Sequence, residues 1–248
     1  MALDTEKNSY TVIFSIIMVI VVGSILAGFA NGLKPTIKAN ERYEKQQNIL
    51  YAMGINENEG PNDVEFIPTD RVEAEFVKYI KKQFVIQGDE VIEDDQAYLI
   101  DIKKESAKAK DGDYQRRLPL FLGEKDGEEI YVMPVRGKGL WDAIWGFVAV
   151  DRTMKIQGVY FDHKAETPGL GAEIKQRFFM DDFTGESFLD DGVYSGIKVA
   201  KGNNDPKNED KTDQEVDALA GATITGDGLS VMLQKDVKMY VSYFKKLK

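Results

Sequence analysis

The chain has 248 residues, 43% of them hydrophobic and 30% charged, with 32 Lys+Arg against 42 Asp+Glu for a net charge of −10. That much apolar material excludes a wholly disordered chain, and the acidic balance argues against nucleic-acid binding, because a phosphate backbone would be repelled. There is no cysteine and a single histidine, His163. Their scarcity removes disulfides, thiolate-held zinc or iron–sulfur clusters, a thiol nucleophile and any multi-histidine metal site. A redox role would need an organic cofactor.

Residues 1–9 read as a tail. Residues 10–33 (YTVIFSIIMVIVVGSILAGFANGL) carry no charge. About 20 helical residues cross a ~30 Å hydrocarbon core, so this segment is predicted to be a transmembrane anchor, with Tyr10 and Phe29 suited to the two interfaces. Gly28 and Ala30 form a small-x-small site of the kind cut in signal peptides. However, the apolar run exceeds the usual h-region, and Asp4, Glu6 and Lys7 precede it in place of a basic stretch. An uncleaved single span is therefore expected. Lys34, Lys38, Arg42 and Lys45 come after the span, and charge bias alone would keep the next domain in the cytoplasm.

Residues 34–248 read as one α+β domain, with helices first, then short strands, then a closing helix. The helical part covers 35–87. One helix spans 35–54, with Pro35 in its first turn and Gly54 just past its end. A polar connection carrying Gly60-Pro61 comes next. A second helix spans about 71–84, capped by Asp70 with Glu73, and puts Val72, Phe76, Ile80 and Phe84 on one face. The charged stretch 103–114 reads as a loop or edge. The sheet region covers about 96–201, with strands at 130–135, 146–150, 156–161 and 196–200. Residues 202–216 read as a polar surface loop. The final helix covers 227–246, with an apolar stripe of Leu229, Met232, Leu233, Val237, Tyr240, Val241 and Phe244.

Three segments have the residue types for chemistry. In 217–228 (DALAGATITGDG), Gly221, Ala222 and their small neighbours leave the backbone and the hydroxyls of Thr223 and Thr225 open to a bulky group. The segment abuts the predicted closing helix, whose free amides and positive dipole end favour a phosphate near Thr223 or Thr225. It lacks the lysine of a Walker loop. It reads equally as a capping loop, with Thr225 or Asp227 as the cap. In 162–171 (DHKAETPGLG), Pro168-Gly169 predicts a tight turn, and the glycines flanking Leu170 let backbone approach a flat ligand. His163, Glu166 and Thr167 with Ser187 or Ser195 would make a hydrolytic set on paper, but no Gly-x-Ser-x-Gly elbow surrounds either serine. In 137–147 (GKGLWDAIWGF), Trp141 and Trp145 lie between glycines, an arrangement that suits a planar ring system and equally suits core packing at a turn.

Together the three segments resemble the FMN-binding domain family. AGATIT, with Asp217 three residues before its first alanine, is similar to the family's flavinylation motif, and GKGLWDAIWG and ETPGLG are similar to its two other hallmark segments. The anchor and the length extend the resemblance to one branch of the family, the C subunits of sodium-translocating NADH:quinone reductases. The resemblance implies one FMN-binding domain, a short-stranded sheet with flanking helices, on an amino-terminal transmembrane helix. It implies FMN joined by a phosphoester to Thr223, with Gly221 and Ala222 beside it and Thr225 as the competing hydroxyl. Glu166, Thr167, Leu170 and Gly171 would lie against the isoalloxazine ring, with Trp145 as a ring neighbour. It further implies an electron carrier among the other subunits of the reductase, matured by a flavin transferase. The location would be the bacterial inner membrane, with the soluble domain in the periplasm, against the charge bias. Ala220 stands where the family usually has Ser or Thr. Two alternatives remain open: the G subunit of the related electron transport complex, and an anchored non-redox module whose AGATIT loop only caps a helix. Sodium translocation is not assigned to this chain, because its span holds no ionisable residue.

Overall fold

The computed structural model describes residues 7–60, 62–203, 205 and 207–247; residues 1–6 of the expected tail, Pro61 of the connection, and Asn204 and Pro206 of the polar loop lie outside them. The chain divides into two compact units, Met1–Tyr43 and Glu44–Lys248.

Helix α1, Asn8–Ala52, runs through both. In the first unit its large apolar side chains between Val12 and Ile37 are exposed. A window of mean hydropathy 2.8 makes this stretch long and apolar enough to cross a membrane. Two expected helices are thus one, and Pro35 lies inside it instead of in a first turn. Proline removes one backbone donor and crowds the preceding turn, yet the helix continues through it. In the second unit the last turn buries Ile49, Leu50, Tyr51 and Ala52. It closes as sequence predicts, with Gly54 at φ +72°. The Gly54 N–H donates to the Tyr51 carbonyl at 2.8 Å and the Ile55 N–H to the Leu50 carbonyl at 2.9 Å, the paired bonds of a Schellman motif.

The second unit is built on a six-stranded antiparallel sheet of β1 (Ile80–Gln87), β2 (Glu90–Glu93), β3 (Leu118–Lys125), β4 (Glu128–Lys138), β5 (Ala143–Val150) and β6 (Ile156–His163). The order is β2-β1-β3-β4-β5-β6. The expected strands at 130–135, 146–150 and 156–161 fall inside β4, β5 and β6. The sheet begins at residue 80, earlier than expected. Helix α2 is only Val72–Tyr79, with Arg71 at its N-cap and no side-chain capping bond, so Asp70 does not cap it. Ile80 and Phe84 belong to β1 because a four-residue spacing also fits a period of two. Phe84-Val85-Ile86 are strand formers, and they pair with Leu120, Pro119 and Leu118.

The charged stretch 103–114 is helical at its start. Helix α3, Ile102–Lys108, is capped by Asp101, whose carboxylate accepts from the Lys104 N–H at 3.1 Å. Its Glu105 is 2% exposed. It accepts from the Tyr114 hydroxyl at 2.6 Å, the Arg117 N–H at 3.1 Å and Lys108 Nζ at 3.1 Å. The charge run hid a buried hub.

After β6 come a 3₁₀ turn (Gly171–Lys175) and α4 (Arg177–Asp181). Two small sheets come next: β7 (Leu189–Asp190) with β8 (Val193–Tyr194), and β9 (Lys198–Ala200) parallel to β10 (Glu215–Asp217). The polar loop between β9 and β10 is not wholly on the surface, since Asn208 is buried. The expected closing helix is two helices, α5 (Thr223–Lys238) and α6 (Val241–Lys246). It starts four residues early and breaks at Met239-Tyr240, where the buried Tyr240 hydroxyl donates to the Pro119 carbonyl at 3.0 Å.

Helix α5 lies against β4. A Cβ on Gly137 would meet Met232 Cβ at 2.8 Å, and one on Gly228 would collide with the Lys138 carbonyl oxygen. Further along, buried Asp236 accepts from the Arg136 N–H at 2.8 Å and from Arg116 Nη1 at 3.1 Å. The helix is therefore fixed to the sheet along its length, and its amino terminus is held beside the β4–β5 hairpin.

Candidate functional site

Three loops meet at the start of α5. They are the β4–β5 hairpin with Leu140, the β6–α4 loop with Glu166, Thr167, Leu170 and Gly171, and the segment Gly221, Ala222, Thr223, Ile224, Thr225. Together they line a cleft of about 220 Å³. Every residue singled out for the cofactor except the two tryptophans is in it. Leu140 and Ile224 are also in it and were not anticipated.

The entry to α5 separates the two threonines. Gly221 has φ +74°, a left-handed conformation suited to glycine, which turns the chain into the helix. Ala222 holds the N-cap position without any side-chain capping bond, so neither Thr225 nor Asp227 caps. Thr223 is the first helical residue and is exposed. Thr225, two positions on, is 1% exposed, and its hydroxyl donates to Glu166 Oε2 at 2.6 Å.

Glu166 joins the three loops. It is 4% exposed, and its other oxygen accepts from the Trp141 N–H at 3.0 Å. Burial alone would raise its pKa. The Thr225 hydroxyl and the backbone N–H groups of Trp141, Asp142 and Leu140 outweigh that and hold the carboxyl below its ordinary range. Two glycines make the room. A Cβ on Gly139 would lie 2.6 Å from Glu166 Oε1, and one on Gly171 would lie 2.6 Å from Oε2 and 2.5 Å from Thr225 Oγ1. The turn expected at Pro168-Gly169 is present: the Leu170 N–H donates to the Thr167 carbonyl at 3.1 Å, with Gly169 at φ +75°. That is a type II turn, with proline and glycine in their preferred places.

The two tryptophans divide by strand alternation. Gly137 faces Met232 of α5 and pairs with Ile144, so Ile144 points toward α5 and Trp145, the next residue, points to the other face of the sheet. Trp145 sits opposite Arg136 and Asp162 there, away from the cleft lining. Trp141, in the hairpin, is 65% exposed, and its indole Nε1 donates to Thr167 Oγ1 at 3.2 Å. The hydrolytic set is not assembled. His163 Nδ1 accepts from the Glu166 N–H at 3.1 Å, while the hydroxyls of Ser187 and Ser195 donate to backbone carbonyls.

The cleft presents a free threonine hydroxyl at a helix amino terminus, where unpaired amides and the dipole favour an anion. Exposed Leu140, Leu170 and Ile224 share its lining, and exposed Trp141 bonds to Thr167 of the same cleft. Fold and cleft together define a domain of FMN-binding type on a long apolar helix, and the sequence profile of the FMN-binding domain matches residues 139–238. Two curated relatives are C subunits of Na(+)-translocating NADH-quinone reductase. That of Vibrio anguillarum is 30% identical over 92% of this chain and 90% of its own length, and that of Pseudomonas aeruginosa is 29% identical over 93% and 91%. The crystal structure of the same subunit from Parabacteroides distasonis superposes with a TM-score of 0.72 at 30% identity, covering 86% of this chain and 96% of that one. The chain belongs to the family formed by the C subunits of Na(+)-translocating NADH-quinone reductase.

Proposed function

We propose that this chain is the flavin-carrying electron-transfer subunit of a sodium-translocating NADH:quinone reductase, with FMN held by a phosphoester to Thr223. The observation that carries the choice of residue is the contrast between the two hydroxyls: that of Thr223 is exposed on the first residue of α5, while that of Thr225 is buried and spent on Glu166. Bound FMN supplies the redox chemistry, taking electrons from one carrier and giving them to another. The α5 amides and dipole favour the phosphate, Gly221 lets the chain turn beneath it, and Glu166 fixes the loops that carry Leu140, Thr167 and Leu170. Leu140, Leu170 and Ile224 of the cleft would supply apolar contacts to a bound ring, with exposed Trp141 close by on Thr167. Ala220 leaves the acceptor hydroxyl intact.

The cleft, at about 220 Å³, is smaller than the ~300–1,000 Å³ typical of sites that enclose a ligand. A covalent tether supplies the retention that enclosure does not. The working protein is anchored in a bacterial inner membrane by residues 10–33, with 34–248 in the periplasm, where a flavin transferase modifies it beside its partner subunits.

Intact-mass measurement on protein coexpressed with a flavin transferase tests the reading. Wild type is expected to gain the mass of FMN less one water, and Thr223→Val to gain nothing while remaining folded. An adduct that persists in Thr223→Val and vanishes in Thr225→Val would move the bond to Thr225, and no adduct in wild type would remove the carrier role.

A further inference from the structure

Glu186, just after α4, is 0% exposed. Its Oε1 accepts from Asn208 Nδ2 at 2.8 Å, while its Oε2 is buried without a hydrogen-bond partner. Asn208 is 1% exposed and left-handed at φ +46°. Its Nδ2 also donates to the Asp182 carbonyl at 2.7 Å, and its Oδ1 is likewise buried and unpartnered. Two side chains already joined by one hydrogen bond thus each hold an acceptor with no donor.

A single proton repairs both defects. Protonated at Oε2, Glu186 gains an O–H donor, and the vacant acceptor on the residue it already touches is Asn208 Oδ1. An O–H···O bond between them would join the existing N–H···O bond in a two-bond ring between a carboxylic acid and a carboxamide. A metal ion fits the donor set poorly. Hard cations take about six or more oxygens, the pair offers two, and among the described residues no three acid or histidine side chains gather as ligands. Lys211 Nζ already sits on the Asp182 carbonyl at 2.7 Å. We propose that Glu186 is a proton-binding site, whose neutral acid form latches Asn208 and the adjoining chain to the end of α4 and whose ionised form releases them.

The charges around it agree. Burial pushes Glu186 up to about 7; Asn208 and Lys211 act against that, and Asp213 and Asp210 of the loop act with it. Burial also pushes Asp182, at the end of α4, up to about 6. From β6, the Ile156 N–H donates to the Glu186 carbonyl at 2.7 Å, and the neighbouring Lys155 is exposed. An unfolded chain loses this proton near pH 4.5, while the folded one keeps it to about pH 7. The latch's contribution is therefore complete below pH 4.5, falls as pH rises to 7, and is level above.

The test uses the full chain in detergent. Urea unfolding of wild type and Glu186→Gln is compared from pH 5 to 8, with amide exchange of residues 207–214 corrected for its chemical pH dependence. Glutamine mimics the protonated acid, because its NH₂ donates where the O–H would. The folding constant of wild type relative to the variant is expected to fall on the order of 50-fold across that range. Exchange at 207–214 should speed up in wild type alone. The infrared band of a protonated carboxyl at pH 6.5 should be weaker in the variant by about three-quarters of one group. Equal pH slopes in the two proteins, or an unchanged band, overturn the proposal. Should Glu186→Gln fail to fold, Asp182→Asn carries the test. Its carboxyl band must still titrate near pH 7, and loss of all such signal by pH 6 overturns the latch.

Discussion

Thr223 and Thr225 are two residues apart in the sequence and opposite in environment, so the same substitution should act differently at each. Thr225→Val removes the donor from Glu166 Oε2 in a site where neither partner reaches water. A hydrogen bond to a charged group contributes roughly 1.5–3 kcal/mol, and a stranded buried acceptor adds to the loss. Thr225→Val is therefore expected to lose about 2–3 kcal/mol in urea unfolding, with the proposed acceptor hydroxyl on Thr223 still present. Gly171→Ala acts on the same bond from outside, because its Cβ would press on both Thr225 Oγ1 and Glu166 Oε2. Overpacking of this kind costs about 1–3 kcal/mol, and calorimetry should show a lowered Tm. At this scale the sequence revealed the residue types and their spacing but not their direction. Two threonines in AGATIT look interchangeable until α5 starts at Thr223 and turns Thr225 inward. Trp141 and Trp145 look interchangeable until strand alternation turns Trp145 to the far face. The carboxylate of Glu166 is marked in the sequence only by its place beside His163 and Thr167 and in the ETPGLG segment. That it joins three loops was invisible, because its partners are backbone amides from a hairpin 25 residues earlier in the chain.

Elements were legible where one pattern had one explanation. The runs in β4, β5 and β6 are rich in β-branched and aromatic residues, and Gly54 ends a helix with no competing reading. They were misread where two patterns coincide. The Val72–Phe84 stripe has a spacing shared by helix and strand, and only pairing with β3 resolves it. The charged stretch 103–114 reads as a loop or edge, yet it opens in a helix capped by Asp101, and its Glu105 is buried. The electrostatics of Glu105 can be measured. Burial would raise its pKa, but the Tyr114 hydroxyl, the Arg117 N–H and Lys108 pull it from 4.5 down to about 2. A depressed carboxyl stabilises the fold above its unfolded pKa and loses that contribution as pH falls. Glu105→Gln should therefore cost about 3 kcal/mol at pH 7, and the gap between variant and wild type in urea unfolding should narrow between pH 4.5 and 2. The seat of α5 gives a second test. Gly228→Ala gains about 1 kcal/mol of helix propensity but drives a methyl into the Lys138 backbone carbonyl, which cannot rotate away. A net loss of about 1–2 kcal/mol is expected, and a lower yield of flavin adduct should accompany it, because the helix start that presents Thr223 must shift from β4.

At the scale of the whole molecule, the charge beside the apolar span and the proposed flavinylation disagree about which side of the membrane the domain occupies. Lys34, Lys38, Arg42 and Lys45 come directly after the apolar span, and by the charge rule they would retain the soluble domain in the cytoplasm. Long domains translocate despite such charges, and the phosphoester proposed at Thr223 would require that the domain meet a flavin transferase. An open cleft with exposed Leu140, Trp141, Leu170 and Ile224 also suits a cofactor that exchanges electrons with partners through its uncovered side. The absence of cysteine makes the question directly measurable, since one introduced thiol is the only thiol in the chain. Glu90→Cys places it on β2, the exposed edge strand of the sheet. In cells with a permeabilised outer membrane, a membrane-impermeant maleimide should label this residue before the inner membrane is broken. Labelling that appears only after inner-membrane lysis would put the domain in the cytoplasm, out of reach of a periplasmic transferase, and the flavin proposed on Thr223 would then need a different route of attachment.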